Sequence, residues 1–282
     1  MDNSQKSQVK SVTKAFRILA CFTPTSTELS LADISAMLEM PKSTTLNLLR
    51  TLEAFGYVMR SYPSMNYKLG YAALQLNYCT QMSLSAVRAA LPILEDLQIR
   101  TGKTIYLTTH VNGKVIYLEV AHQNRRIFYY SISGKTLPMH CTGCGKAMLA
   151  FLPDAEIKNI INTYGLSTHT PNTITNEEKL QAEIEKIRAK GFAIDNEEET
   201  LGIRCIAAPI RNSSGYPTGA LSISGAVHSM QDEQLMSYLE ILLNSTHALA
   251  NHANEFPAGQ IRLLNDYDKA SGEDKSDGGN KC

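Results

Sequence analysis

Polar side chains at the spacing of one helix face occur between residues 42 and 55. At about 100° per residue, one half of such a helix presents hydroxyls, an amide and a guanidinium, with no carboxylate. These groups can read base edges in a major groove and hold phosphates. The face therefore predicts DNA contacts, although a solvated face of an ordinary amphipathic helix is the competing interpretation. The predicted DNA-binding residues here are Lys42, Ser43, Thr44, Asn47 and Arg50.

Cysteines are the second set of residues that could carry chemistry. His140-Cys141-x-x-Cys144 contains a CxxC pair, which suggests thiol redox chemistry or half of a zinc site. With Cys205 the set offers four ligands of types that zinc accepts, but a second CxxC or an HxxxH is missing. Small buried thiols in a packed turn are the alternative. We therefore expect no metal ion and no cofactor.

Two short helices joined by a tight turn must position the polar face. Ser30 and Asp33 form a capping-box pattern before the first helix, and Pro41 suits the start of the second. The turn then falls near Glu39 and Met40, which makes residues 42–55 the recognition helix of a helix-turn-helix. Residues 9–22 predict a supporting helix. The apolar half of the recognition helix, expected to pack, comprises Leu46, Leu48, Leu49, Leu52 and Phe55.

The segment after Gly56 alternates in period two around a turn at residues 63–66. This pattern predicts a two-stranded wing that completes a winged helix-turn-helix. Its apolar positions are Tyr57, Met59, Tyr67 and Leu69, and its basic positions, expected to meet phosphates, are Arg60 and Lys68. Residues 1–70 hold eight Lys and Arg against five Asp and Glu, a net charge of +3 that favours nucleic acid.

Composition sets the broad class. The 282 residues are 43% hydrophobic and 19% charged with zero net charge, which is ordinary for a globular protein of two domains. The six cysteines are too sparse for a disulfide framework. No apolar run is long enough to cross a membrane, and the N-terminus lacks a signal-peptide pattern, so we expect a cytoplasmic protein without a membrane partner.

The remainder of the chain changes from helices to strands. An Asn112-Gly113 pair between two β-rich runs predicts a hairpin. The whole predicts an α+β fold: a winged helix-turn-helix, a linker helix and an α+β domain with a mainly antiparallel sheet. Pro92 should begin a helix over residues 93–100. The predicted strands are 104–109, 115–120, 127–132, 192–195, 203–210 and 219–225, and the later helices are 145–152, 154–162, 175–190 and 232–252.

These patterns divide the chain into four regions. Residues 1–70 are the predicted DNA-binding domain, 71–90 the linker helix, 91–256 the effector-binding domain and 257–282 a disordered tail.

Three ordered motifs carry a family resemblance: MPKSTTLNLLRTLEAFGYV, LPMHCTGCGKAMLAFLP and GFAIDNEEETLGIRCIAAPIRNSSGYPTGALSISG. Over roughly residues 9–254 the chain resembles the IclR family of bacterial transcriptional regulators. The resemblance implies an effector-binding domain that senses a small organic acid. It also implies a homodimer or tetramer on a palindromic double-stranded operator.

The resemblance also implies effector-binding residues. Gly143 and Cys144 match a Gly-Ala pair whose N–H groups bind the ligand's carboxylate, and a helix N-terminus suits an anion. Asp195 and Cys205 match the family's Asp and Cys, and Ser222 and Ser224 match two alternating serines on one strand face. Beside an anion, Asp195 should accept a hydrogen bond from a ligand hydroxyl or be protonated. A cap on the EEETLG loop is the other interpretation of Asp195.

These predictions combine into one function. We expect a ligand-responsive regulator, a repressor of a catabolic operon that senses a keto, hydroxy or sugar acid, and not an enzyme. The alternatives are a redox- or zinc-responsive regulator that uses Cys141, Cys144 and Cys205, or a thiol reductase with Cys144 as nucleophile and Cys141 resolving.

Overall fold

The computed structural model describes residues 9–122 and 132–256. They form two compact units, the first ending at Ser83 and the second beginning at Leu84. The predicted strand over 127–132 lies almost entirely outside the described residues, as does the predicted tail. Within the described parts of the chain, no helix is both long and apolar enough to cross a bilayer.

The first unit contains four helices and a two-stranded sheet. Its elements are α1 (Lys10–Ala20), α2 (Leu31–Met37), α3 (Lys42–Ala54), β1 (Val58–Arg60), β2 (Tyr67–Leu69) and α4 (Ala72–Ser83). The sequence folds this way because each of the first three helices buries one apolar stripe in a shared core. That core includes Ile18, Ile34, Leu49, Leu52, Val58 and Tyr67.

Local hydrogen bonds set the geometry of the helix pair. Asp33 N donates to Ser30 Oγ at 3.1 Å and Ser30 N donates to Asp33 Oδ2 at 3.0 Å, which confirms the capping box. Glu39 has φ of 51°, which turns the chain sharply between α2 and α3. Pro41 is the N-cap of α3. The helix-turn-helix geometry is thus encoded in a few neighbouring residues.

One packing prediction in this unit is wrong, and the burial pattern of the two-stranded wing differs from the predicted alternation. Phe55 is 73% exposed: it is the C-cap residue of α3, one position beyond the end of the helix at Ala54. In the wing, Val58 is buried, whereas Tyr57 and Met59 are half-buried and Leu69 is exposed. Tyr57 N still donates to Leu52 O at 2.9 Å, so the extended backbone begins one residue later than predicted and its alternation shifts.

In its described residues, the second unit is a six-stranded antiparallel sheet with helices on both faces. Its helices are α5 (Ser85–Thr101), α6 (Gly143–Leu149), α7 (Asp154–Tyr164), α8 (Glu177–Lys190), α9 (Asp232–Ser237) and α10 (Leu239–Ala250). Its strands are β3 (Thr104–Val111), β4 (Lys114–Ala121), β5 (Thr136–Pro138), β6 (Ala193–Asn196), β7 (Ile203–Arg211) and β8 (Pro217–Ala226). The strand order is β5-β4-β3-β8-β7-β6. The predicted α+β class and antiparallel sheet are confirmed.

Two hydrophobic clusters cover the two faces of this sheet. Leu94 and Leu242 of α5 and α10 pack with Ile223 on one face. Met148 and Ile184 of α6 and α8 pack with sheet residues on the other. The hairpin between β3 and β4 turns at Asn112 and Gly113, whose φ values of 46° and 75° suit that pair, as predicted.

Helix boundaries around Pro92 differ from the prediction. The linker helix ends at Ser83, and α5 begins at Ser85 with Pro92 inside it. Pro92 is exposed on the solvent side of α5, where the missing N–H leaves the buried stripe of Leu94 and Leu97 intact. The last predicted helix is divided at Tyr238 into α9 and α10.

The capping box generates a stability prediction. Replacing Ser30 with alanine removes the acceptor of Asp33 N, so we expect a loss of about 1 kcal/mol in the free energy of unfolding. Urea denaturation of the full chain measures it. Ser43→Ala, at the exposed start of α3 where no side chain caps the helix, is the matched control. Equal effects of the two variants would contradict a role for the cap.

Candidate functional site

A cavity of about 500 Å³ lies in the second unit, between the sheet and the start of α6. Its walls include hydroxyl, thiol, carboxyl and aromatic groups. The six residues assigned to an effector by resemblance all line it, although they come from four elements between residues 143 and 224. They are Gly143, Cys144, Asp195, Cys205, Ser222 and Ser224.

Strand register explains why these residues share one face. Asp195 lies opposite Cys205, Cys205 lies opposite Ser224, and Ser224 lies opposite Thr104. This row crosses β6, β7, β8 and β3. Ser222, two residues before Ser224, therefore points to the same side of the sheet.

Gly143 brings α6 into contact with that row. A Cβ atom at this position would lie 2.5 Å from Cys205 Sγ and 3.5 Å from Asp195 Cβ, so no side chain fits. The helix begins at Gly143, two residues before the predicted start, because Thr142 caps it by accepting a hydrogen bond from Gly145 N at 3.2 Å. Gly143 and Cys144 are thus the first residues of α6, whose early N–H groups lack partners within the helix.

Asp195 both caps a loop and faces the cavity. Its side chain is 7% exposed and its Oδ1 accepts a hydrogen bond from Glu198 N at 2.8 Å. The capping interpretation is therefore correct for the structure. Burial raises the pKa of Asp195 to about 7, aided by nearby Glu198 and Glu199, although the hydrogen bond and Lys146 oppose the shift.

Lys146 is a buried cation that sequence reasoning missed. Its side chain is 1% exposed, and Nζ donates to Ile194 O at 2.7 Å and to the Glu198 carboxylate. Glu183 lies 3.9 Å away. The GK pair at the start of α6 was a visible signal, but its partners lie 48 and 52 residues along the chain.

Two tyrosines on β3 and β4, also missed, form another wall of the cavity. The rings of Tyr106 and Tyr117 meet edge to face with centroids 5.3 Å apart. The Lys135 ammonium lies 5.8 Å from the Tyr117 ring centroid. Burial raises the pKa of Tyr106 to about 12, so its phenol is a neutral hydrogen-bond donor at physiological pH. Strand pairing, which the sequence does not state, brings both rings to the cavity.

The buried cysteines do not form a reactive or metal-binding group. Burial raises the pKa of the Cys141 thiol to about 12 and also raises those of Cys144 and Cys205, which disfavours thiolates. Nε2 of His140 lies 3.0 Å from Ser167 O. Among the residues that the structure describes, no three His, Cys, Asp or Glu are arranged to hold a metal ion. The redox and zinc alternatives therefore gain no support.

The predicted DNA-reading face in the first unit is largely exposed. Lys42, Ser43, Asn47 and Arg50 are exposed on α3, and Thr44 is half-buried. This face stands opposite the buried Leu49 and Leu52.

Arg60 of the wing, predicted to contact phosphates, already has partners within the protein. Its guanidinium donates to Tyr67 Oη at 2.6 Å, lies 4.6 Å from the Tyr67 ring centroid and is 3.6 Å from Glu53 Oε1. Arg60 is therefore held by contacts within its own unit.

A winged helix-turn-helix followed by an α+β domain with a polar cavity is typical of a transcriptional regulator. Two family profiles match: "IclR helix-turn-helix domain" over residues 11–61 and "Bacterial transcriptional regulator IclR C-terminal" over residues 77–251. The chain belongs to the IclR family of transcriptional regulators.

Individual relatives agree with this assignment. The Escherichia coli K12 regulator XynR is 32% identical over 89% of this chain and 99% of its own length. The crystal structure of Thermotoga maritima IclR is 30% identical, covers 87% of this chain and 99% of its own, and superposes with a TM-score of 0.64. An IclR homologue from Microbacterium hydrocarbonoxydans, 21% identical, shares the fold with a TM-score of 0.70 over 86% of this chain and 99% of its own. Some further relatives are named as repressors.

The contact of Gly143 with the sheet generates the next prediction. Gly143→Ala should lower the melting temperature, because the added methyl group would overlap Cys205 Sγ. Differential scanning fluorimetry measures the change. The double variant Gly143→Ala/Cys205→Ala removes that sulfur and should recover most of the loss. Additive losses in the double variant would show that the sulfur is not the obstacle.

Proposed function

We propose that this regulator senses a small organic acid in the cavity beside α6. The observation that carries the proposal is the convergence of Gly143, Cys144, Asp195, Cys205, Ser222 and Ser224 on one polar cavity of about 500 Å³. The Microbacterium homologue was crystallised with 4-hydroxybenzoate, an organic acid, which supports this class of ligand.

Each polar group in the cavity suits one part of such a ligand. The ligand's carboxylate accepts hydrogen bonds from the N–H groups of Gly143 and Cys144. Because α6 has only seven residues, these donors matter more than a helix dipole. Ionised Asp195 accepts a hydrogen bond from a ligand hydroxyl, whereas protonated Asp195 donates one to a keto oxygen. Ser222 and Ser224 offer hydroxyls. The volume accommodates an acid larger than three carbons, such as a sugar acid, even with the Cys144 thiol in place.

We further propose that the first unit binds a palindromic operator as part of a homodimer or tetramer. Each recognition helix α3 enters a major groove with its exposed face of Lys42, Ser43, Asn47 and Arg50. In this proposal residues 1–70 are the DNA-binding domain, and residues 71–90 link it to the effector-binding domain at 91–256. The effector then releases repression of a catabolic operon, in keeping with the relatives named as repressors.

A calorimetric screen against keto, hydroxy and sugar acids tests the effector proposal. Saturable binding of one acid, unchanged by a chelator or a mild oxidant, is the expected result. If no acid binds, the proposal fails.

The pKa of Asp195 generates a pH prediction. An anion beside ionised Asp195 is repelled, so acid binding should weaken as the pH rises through about 7, the pKa to which burial raises this carboxyl. Below that pH the protonated carboxyl repels nothing. Asp195→Asn should flatten the profile between pH 6 and 8 in isothermal titration calorimetry. A profile that retains its slope in the variant would assign the titration to another group.

A matched pair of arginine variants tests the DNA face. Arg50→Ala should weaken operator binding by about 1–3 kcal/mol if Arg50 reads a base, or reduce the salt slope by about one if it holds a phosphate. Fluorescence anisotropy with labelled operator at several salt concentrations measures both. Arg100→Ala, an exposed arginine of the second unit, is the control. Unchanged affinity and slope for Arg50→Ala would refute the face assignment.

A further inference from the structure

Lys146 links two parts of the cavity that come from distant sequence. It lies in the first turns of α6, three residues after Gly143. From there its ammonium reaches Ile194 O on β6 and the carboxylate of Glu198 in the following loop. A buried ammonium lowers the stability of the fold unless it is paired and hydrogen-bonded. Lys146 therefore depends on these two partners.

Glu198 is connected to the cavity wall through Asp195. Its N–H donates to Asp195 Oδ1 at 2.8 Å, while its carbonyl oxygen accepts a hydrogen bond from Thr173 Oγ1 at 2.6 Å. A chain of polar contacts therefore runs from α6 through Lys146 and Glu198 to the Asp195 carboxyl.

The ion pair between Lys146 and Glu198 is not arranged for stability alone. Glu198 is 5% exposed, and its Oε2 is buried with no hydrogen-bond partner among the described residues. An unpaired buried carboxylate oxygen reduces stability. Apolar neighbours in the same helix, Ala147 and Met148, already pack α6 against the sheet. The geometry thus favours a role in which the location of Glu198 matters more than its contribution to folding.

We propose that Lys146 and Glu198 are positioning residues for the effector. They fix the distance between the N–H groups of Gly143 and Cys144 and the carboxyl of Asp195, so that one ligand engages both. The inference rests on the proposed effector role of the cavity. It implies that the pair sets the preference for acids that carry a hydroxyl over acids that lack it.

The test measures this preference by calorimetry on the full chain with two matched pairs of probes, gluconate with hexanoate and lactate with propionate. The variants are Lys146→Met and the double Lys146→Met/Glu198→Met, which leaves no buried charge unpaired. Lys186→Met is the control, because this exposed lysine pairs with the same Glu183 at 3.6 Å.

The expected result separates positioning from folding. Lys146→Met should lower the melting temperature, and the double variant should recover it. In both variants the affinity for the preferred hydroxy acid should fall at least tenfold relative to the wild type. The affinity for the matched acid without hydroxyls should change less than twofold. A double variant with wild-type preference would overturn the inference. If the wild type binds none of the four probes and no acid in the screen, the proposed function itself fails.

Glu198→Gln covers the case in which the other variants do not fold. Asp195 faces the charged groups of Lys146, Glu198 and Glu199 and the buried thiols of Cys141, Cys144 and Cys205. Removing the Glu198 charge should move the midpoint of the pH profile for hydroxy-acid binding to lower pH, since one repelling anion is gone. A midpoint equal to that of the wild type would overturn the link between Glu198 and Asp195.

Discussion

The direct contact between the first residue of α6 and the sheet is the constraint on which the cavity depends. Gly143 lies against Cys205, Ala207 and Asp195 so closely that a methyl group would overlap the sulfur. This approach places the N–H groups of α6 beside the row of polar residues that crosses β6, β7 and β8. A helix held farther away would leave the same side chains as separate features of a sheet surface.

The buried polar groups near this contact lower the stability of the fold. Asp195 is kept from water and its pKa is raised to about 7, chiefly by burial. Lys146 and Glu198 are buried nearby as an ion pair that leaves one carboxylate oxygen without a partner. Proteins commonly keep such groups where function requires them, and here Lys146 and Glu198 lie beside Asp195, which lines the cavity. The rest of the domain is conventional, with two apolar layers on an antiparallel sheet.

Sequence patterns predicted what neighbouring residues encode. The capping box at Ser30, the Asn112-Gly113 hairpin and the helix-turn-helix depend on contacts within a few positions, so the local pattern was sufficient. The errors at Phe55 and Pro92 concern the residue at which a helix ends or begins, where several placements have similar local energies. The six residues proposed to bind the effector were assigned by resemblance, and all of them line the cavity. Tyr106, Tyr117 and the partners of Lys146 were missed, because they meet only through strand pairing and packing across dozens of residues.

The contacts of Arg60 have a consequence for how the wing could meet a phosphate. Its guanidinium is already hydrogen-bonded to Tyr67 and paired with Glu53 in the free protein. Such an arginine loses little conformational entropy when a phosphate approaches, yet its charge is partly neutralised in advance. On the proposed operator, Arg60 would therefore release fewer counterions than an unpaired arginine at the same position.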